Sequence, residues 1–182
     1  MKVLIDACVL YPTVMREMVL GAAGEGLFTP LWSPRILEEW ARATIKLGPE
    51  QETIARGEIA LLSARWPNSS ITPNEGDLRR LWLPDENDIH VLAAAIAGGA
   101  DVLLTMNNAD FPRHTLAEEG LLRDTPDLFL RSFLDSDAEA MIRVATRVLD
   151  QARTLSGEDW TIRRLMKKAR LPRLGKTLEH DI

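Results

Sequence analysis

The stretch Leu83 to Pro112, LPDENDIHVLAAAIAGGADVLLTMNNADFP, decides how the rest of the chain is read. Asp85 behind Pro84 is placed to cap a helix, and Asp88 lies three residues on, near the positive end of the helix dipole. Ile89, Leu92 and Ile96 recur at helical spacing with Ala93, Ala94, Ala95 and Ala97 between them, and Gly98-Gly99 supplies the stop. Val102-Leu103-Leu104 is short and wholly apolar, which predicts a buried strand, and it runs straight into Thr105, Asn107 and Asp110. A helix followed by a buried strand is the unit of a parallel α/β sheet, and ligands of such sheets bind beyond the carboxyl ends of the strands. The acids at both ends of this stretch therefore stand where a site is expected.

Working outward, Lys2 to Ile5 reads as a first strand whose apolar run continues through Ala7, Cys8, Val9 and Leu10, interrupted once by Asp6. A carboxylate in such a run is costly unless paired. It either caps the next helix and accepts strand-end N–H bonds, or it is a metal-ligating or catalytic acid. Pro12 fits a helix start, with Val14, Met18, Val19 and Ala22 forming a stripe that Gly24 and Gly26 close. Leu27 to Trp32 is a candidate second strand. Ser33-Pro34 is a cap and first-turn pair for a helix carrying Ile36, Leu37, Trp40, Ala41 and Ile45, which sets Glu38 and Glu39 near its start. Further helices are expected at roughly 50–64 and 74–81, with a short strand or linker at 69–72.

Beyond Pro112, Leu116 to Gly120 ends a short helix, Leu121-Leu122-Arg123 is a candidate strand, and Asp124-Thr125-Pro126 opens another helix. Ala138 to Leu155 is amphipathic, and Trp160 to Ala169 is expected as the last, basic helix. The change of character near Asp135 divides a compact α/β domain, residues 1–135, from a helical C-terminal extension, residues 136–182.

Composition bounds the function. Of 182 residues, 46% are hydrophobic, enough for a core of ordinary size. With no run of 18 apolar residues and an aspartate directly after the first strand, neither membrane insertion nor export is expected. A single cysteine, Cys8, excludes an internal disulfide and a multi-cysteine zinc site, in keeping with a cytoplasmic protein. The formal net charge of −5 means that polyanion binding needs a local basic patch or a metal. Asp6 and Asp110 would share one edge of a parallel sheet, and the helix start bearing Asp88 can reach it. Crowded carboxylates repel unless a cation lies among them, and oxygen-only donors suit Mg²⁺ or Mn²⁺ better than zinc. A phosphoryl-aspartate chemistry would need a second acid two residues past Asp6, where Cys8 stands.

The order LIDACVL, SPRILEEW, DENDIHVLAAAIAGGADVLLTMNNADF resembles that of PIN-domain nucleases, and among them toxins of VapC type, small endoribonucleases paired with an antitoxin. The resemblance covers roughly residues 1 to 130. It implies a three-layer α/β/α fold around a central parallel sheet, with Asp6, Glu39 and Asp88 holding the metal. Glu39 is chosen over Glu38 because the family glutamate tends to stand six residues after the serine, here Ser33. Where the family has an aspartate in Thr-x-Asp, this chain has Asn107, and Asp110 three residues later is the candidate fourth carboxylate. A cognate antitoxin and a homodimer are also implied, and apolar faces such as Val14-Met18 and Trp40 are candidates for the dimer.

The expected activity is hydrolysis of RNA phosphodiesters by water activated on Mg²⁺ or Mn²⁺. Asp6, Asp88, Glu39, Asn107 and Asp110 form the metal set, and Thr105 and Arg113 are expected to orient water or phosphate. Arg163, Arg164, Lys167, Lys168, Arg170 and Arg173 can track a phosphate backbone or dock the antitoxin. His114 stands beside the acidic turn. His90, two residues from Asp88, is assigned to another helical face, Cys8 to the core, Asp101 to solvent, and Trp32, Trp40, Trp66 and Trp82 to core or interface. A reading of another class is a PIN-like binding module, weakened in catalysis, that acts through its partner.

Overall fold

The computed structural model describes residues 1–182. Its elements in order are β1 (Lys2–Ile5), α1 (Ala7–Leu10), α2 (Thr13–Gly24), β2 (Thr29–Leu31), α3 (Pro34–Ala43), α4 (Gln51–Arg65), α5 (Glu75–Arg80), α6 (Ile89–Gly98), β3 (Val102–Leu104), α7 (Arg113–Glu118), β4 (Leu122–Asp124), α8 (Pro126–Ser136), α9 (Ala138–Ser156), α10 (Ile162–Lys168) and α11 (Pro172–Leu178). A 3-10 turn at Glu86–Asp88 leads into α6. Two compact units form, Met1–Tyr11 with Thr29–Asp124, and Pro12–Phe28 with Thr125–Ile182.

The first unit is built on a parallel four-stranded sheet of order β2-β1-β3-β4, flanked by helices as the α/β/α class requires. Val3, Leu4 and Ile5 pair with Val102, Leu103 and Leu104, and all but Val102 are wholly buried, which is why both strands read as unbroken apolar runs. The Asp6 amide donates to the Leu104 carbonyl at 3.1 Å and the Thr105 amide to that of Asp124 at 3.1 Å, so Asp6 and Thr105 emerge at one level. Pro30 lies in the edge strand β2, where a missing donor is tolerated. Trp32 continues that edge by bridging to Ser70, which gives the 69–72 segment its place.

Local signals act as read. Ser33 Oγ accepts from the Ile36 amide at 3.2 Å with Pro34 in the first turn of α3. Gly99 adopts φ +59°, letting the Ala100 amide close back on Ala95 at the end of α6, a left-handed stop that a side chain would strain. α6 packs on β1 and β3 with His90 to Ala95 all buried. Asp6 follows the end of β1, and the apolar residues Ala7 to Leu10 beyond it form a helical turn.

The second unit is helical. Phe28, Phe129 and Phe133 form an aromatic cluster with centroids 5.0–6.2 Å apart. α2 and α9 approach so closely that a Cβ on Gly21 would lie 2.6 Å from Val144 Cγ1. The helix at 162–168 is not the last, contrary to expectation. Pro172 opens α11, which buries Leu174 and Leu178, and the Asp127 carboxylate accepts from the Arg173 and Leu174 amides at 3.1 and 2.9 Å. Two residues proposed for a dimer face are also corrected: Met18 is 0% and Trp40 1% exposed, so both side chains are spent within the chain.

Candidate metal centre

β1 and β3 deliver Asp6 and Thr105 side by side. Asp6 Oδ2 accepts from Thr105 Oγ1 at 2.7 Å and from the Cys8 thiol at 3.1 Å. Thr105 is wholly buried and also accepts from the Asn107 amide at 3.0 Å, so its hydroxyl is held between Asp6 and the turn that follows β3. Burial first, then the Asp6 charge, pushes the Cys8 thiol up to about 12, which keeps it a donor to the carboxylate.

The second wall is the start of α6. Asp85 Oδ1 accepts from the Asn87 amide and side chain, both at 2.9 Å, and so caps the 3-10 turn. Asp88 follows at the helix start, its Oδ2 accepting from Asn107 Nδ2 at 3.1 Å. Carboxylate oxygens of Asp85, Asp88 and Asp110 lie within 4.8 Å of one another. The cap therefore does not remove Asp85 from the acidic cluster. Burial pushes the Asp88 carboxyl up to about 6, reinforced in turn by the charges of Asp6, Asp85, Asp110 and Glu39.

The two neighbouring glutamates separate. Glu38 accepts from Arg42 at 2.7 Å and from both terminal nitrogens of Arg56 at 2.9 and 3.1 Å, and these arginine bonds hold its carboxyl down at about 2. Glu39 turns to the acids. Its Oε1 accepts from Arg35 Nε at 3.0 Å, while burial, with the Asp6 charge adding to it, raises its carboxyl above the usual range against the opposing pull of Arg35. Arg113 opens α7 exposed, and His114 is exposed beside it.

The charges of Asp6, Glu39, Asp85 and Asp110 thus all bear on Asp88, whose carboxylate also accepts from the side-chain amide of Asn107. Burial and like charge both disfavour ionised Asp88, and a divalent cation among the carboxylates would reverse the second effect. The donors fit a hard ion. A model of the PIN domain matches residues 2–109.

The chain belongs to the PIN domain family. No curated protein matches it, and no solved structure does. PIN domains are typically metal-dependent nucleases. The matched span includes Asp6, Glu39, Asp88 and Asn107 and stops one residue before Asp110.

Three residues of this PIN domain escaped the sequence reading. Spacing from Asp88 puts His90 on another face, yet it is 4% exposed and its Nε2 lies 3.0 Å from Glu39 Oε1. Counting helical rotation from Asp88 misleads because Asp88 belongs to the 3-10 turn, and Glu39 approaches from a separate helix. One polar residue in an otherwise apolar buried helix was the available signal. Burial, aided by Arg35, pushes the His90 imidazole down to about 4, so it is neutral at pH 7. Cys8, half-buried, is a partner of Asp6, not only core. Arg123 on β4 donates to the Asn108 and Phe111 carbonyls at 2.7 Å each and ties down the turn that carries Asp110; nothing local in Leu121-Leu122-Arg123 signals it.

Proposed function

We propose that this chain is an Mg²⁺- or Mn²⁺-dependent endoribonuclease, the toxin of a cytoplasmic toxin–antitoxin pair, with Asp6, Glu39, Asp88 and Asp110 as its acids. The observation that carries this reading is the convergence of acids from the end of β1, α3, the start of α6 and the turn after β3, with Asp88 pushed up to about 6 by burial and, after it, by the charges of Asp6, Asp85, Asp110 and Glu39. A bound divalent ion would supply Lewis acidity, lower the pKa of water and offset charge developing on the phosphate. Asp6 is kept in one rotamer by Thr105 and Cys8, and Asp88 by Asn107, so these carboxylates present fixed oxygens. Thr105 acts through Asp6. Arg113, exposed at the mouth of the turn, is available to a phosphate.

In this reading the nuclease residues fall within 1–135, and the extension 136–182 serves the RNA or the antitoxin. The extension's basic set is partly engaged: Arg163 pairs with Glu179 at 2.6 Å, and Arg164 and Lys168 cover the Trp160 ring at 5.3 and 4.8 Å. Ile45, Leu47, Ile54 and Leu61, each at least half exposed, are among the apolar side chains left for a homodimer or antitoxin, as are Trp82, Leu122 and Leu155. No helix is long and apolar enough to cross a membrane.

Asn107 favours the second reading, a PIN-like binding module with weakened catalysis, because it bonds to Asp88 without adding charge. RNA cleavage with Mg²⁺ or Mn²⁺, against EDTA and the variants Asp6→Asn and Asp88→Asn, separates the two. Cleavage that survives chelation or either substitution overturns the metal mechanism. Mn²⁺ binding without turnover on any RNA favours the binding module.

A further inference from the structure

His90 is a buried side chain beside the acids with both of its ring nitrogens unsatisfied. It is 4% exposed, and neither ring nitrogen makes a hydrogen bond, although Nε2 lies 3.0 Å from Glu39 Oε1. The distance is right and the alignment is not. Arg35 Nε already donates to the same Oε1 at 3.0 Å, and an Arg35 terminal nitrogen reaches the Asn87 carbonyl at 3.4 Å, linking α3 to the turn before α6. A buried nitrogen left without a partner is unfavourable, so a small rotation of the Glu39 carboxylate that aligned it would be favoured.

We propose that His90 is a positioning residue for Glu39: its Nε2–H donates to Oε1 and, with Arg35, holds that oxygen so that only Oε2 faces a divalent cation shared with Asp6 and Asp88. A divalent ion held there would meet one glutamate oxygen, because the other is taken by two donors on different elements, Arg35 and His90. Partners that orient ligands in this way tune metal affinity without touching the metal. This rests on the metal-dependent reading of the same site, but not on RNA being the substrate.

The test is Mn²⁺ titration of the full chain, followed by electron paramagnetic resonance of free Mn²⁺, for the wild type, His90→Leu and His90→Gln. His90→Leu is expected to weaken Mn²⁺ binding about 10-fold, and His90→Gln, whose amide nitrogen can replace Nε2, to stay within about 3-fold of wild type. Equal affinity for His90→Leu and wild type overturns the proposal, as does a loss in His90→Gln equal to that in His90→Leu. Should His90→Leu fail to fold, the wild type decides. Imidazole ¹⁵N spectra of the Mg²⁺-loaded protein should show a protonated, slowly exchanging Nε2 at His90, and an unprotonated Nε2 overturns the proposal. His90-dependent Mn²⁺ binding without RNA cleavage would remove the ribonuclease reading and leave this inference standing. Absence of Mn²⁺ binding by the wild type removes both.

Discussion

The Asp88 carboxyl, moved from 3.8 to about 6, makes a pH prediction with a definite sign. A carboxyl raised in the folded state binds its proton more tightly there than in the unfolded chain. The stability it contributes is fully present below pH 3.8 and is lost as pH rises through about 6. At pH 7 the metal-free protein therefore carries a penalty from this half-buried residue, on the order of 1–2 kcal/mol after solvent screening. Asp88→Asn is expected to raise the Tm of the metal-free protein at pH 7 and to have little effect at pH 4, while weakening Mn²⁺ binding. The two glutamates give a second test. Glu39→Gln should lower any metal-dependent cleavage by about 100-fold or more, and Glu38→Gln, whose partners are Arg42 and Arg56, by less than about 3-fold. Asn107→Asp adds a charge beside Asp88 and is expected to tighten Mn²⁺ binding, read by titration.

At the scale of elements, the site depends on where helices start and stop. Gly99 ends α6 in a left-handed conformation with φ +59°. Gly99→Ala is expected to cost about 1 kcal/mol in chemical denaturation, because the alanine Cβ meets its own backbone there. Arg123 ties β4 to the turn carrying Asp110 through two 2.7 Å bonds to carbonyls. Arg123→Ala should weaken Mn²⁺ binding without removing any acid, a loss that titration reads against an unchanged far-ultraviolet circular dichroism spectrum.

For the whole molecule, a cation bound only by the folded state must stabilise it. Mn²⁺ at a hundred times its Kd should add about 2.7 kcal/mol to unfolding stability, an increment that EDTA reverses and that Asp6→Asn abolishes. A Tm indifferent to Mn²⁺ and to EDTA would count against the acidic set as a metal centre.

Much of the fold was legible in the chain alone. The Ser33-Pro34 start, the Gly98-Gly99 stop and the buried strand at Val102–Leu104 are local signals: each depends on residues a few positions apart, and each element forms where its signal stands. The helix α11 carries a local start in Pro172 but no capping side chain at Leu171; its first amides donate instead to the carboxylate of Asp127, 46 residues before Arg173, which sequence spacing does not show. The acids Asp6, Glu39, Asp88 and Asp110 could be nominated from motif order and resemblance, because strand ends and helix starts have fixed directions in a parallel sheet.

Tertiary structure decided their partners. Cys8 and Thr105 meet on Asp6, Arg42 and Arg56 enclose Glu38, Arg123 secures the Asp110 turn, and His90 stands against Glu39 across 51 positions. The physical reason is one of range. Turn chemistry and hydrophobic periodicity act over a few residues and show in the sequence as spacing. Hydrogen bonds, like-charge repulsion and the penalty for an unsatisfied buried nitrogen depend on distances that only the packed chain sets.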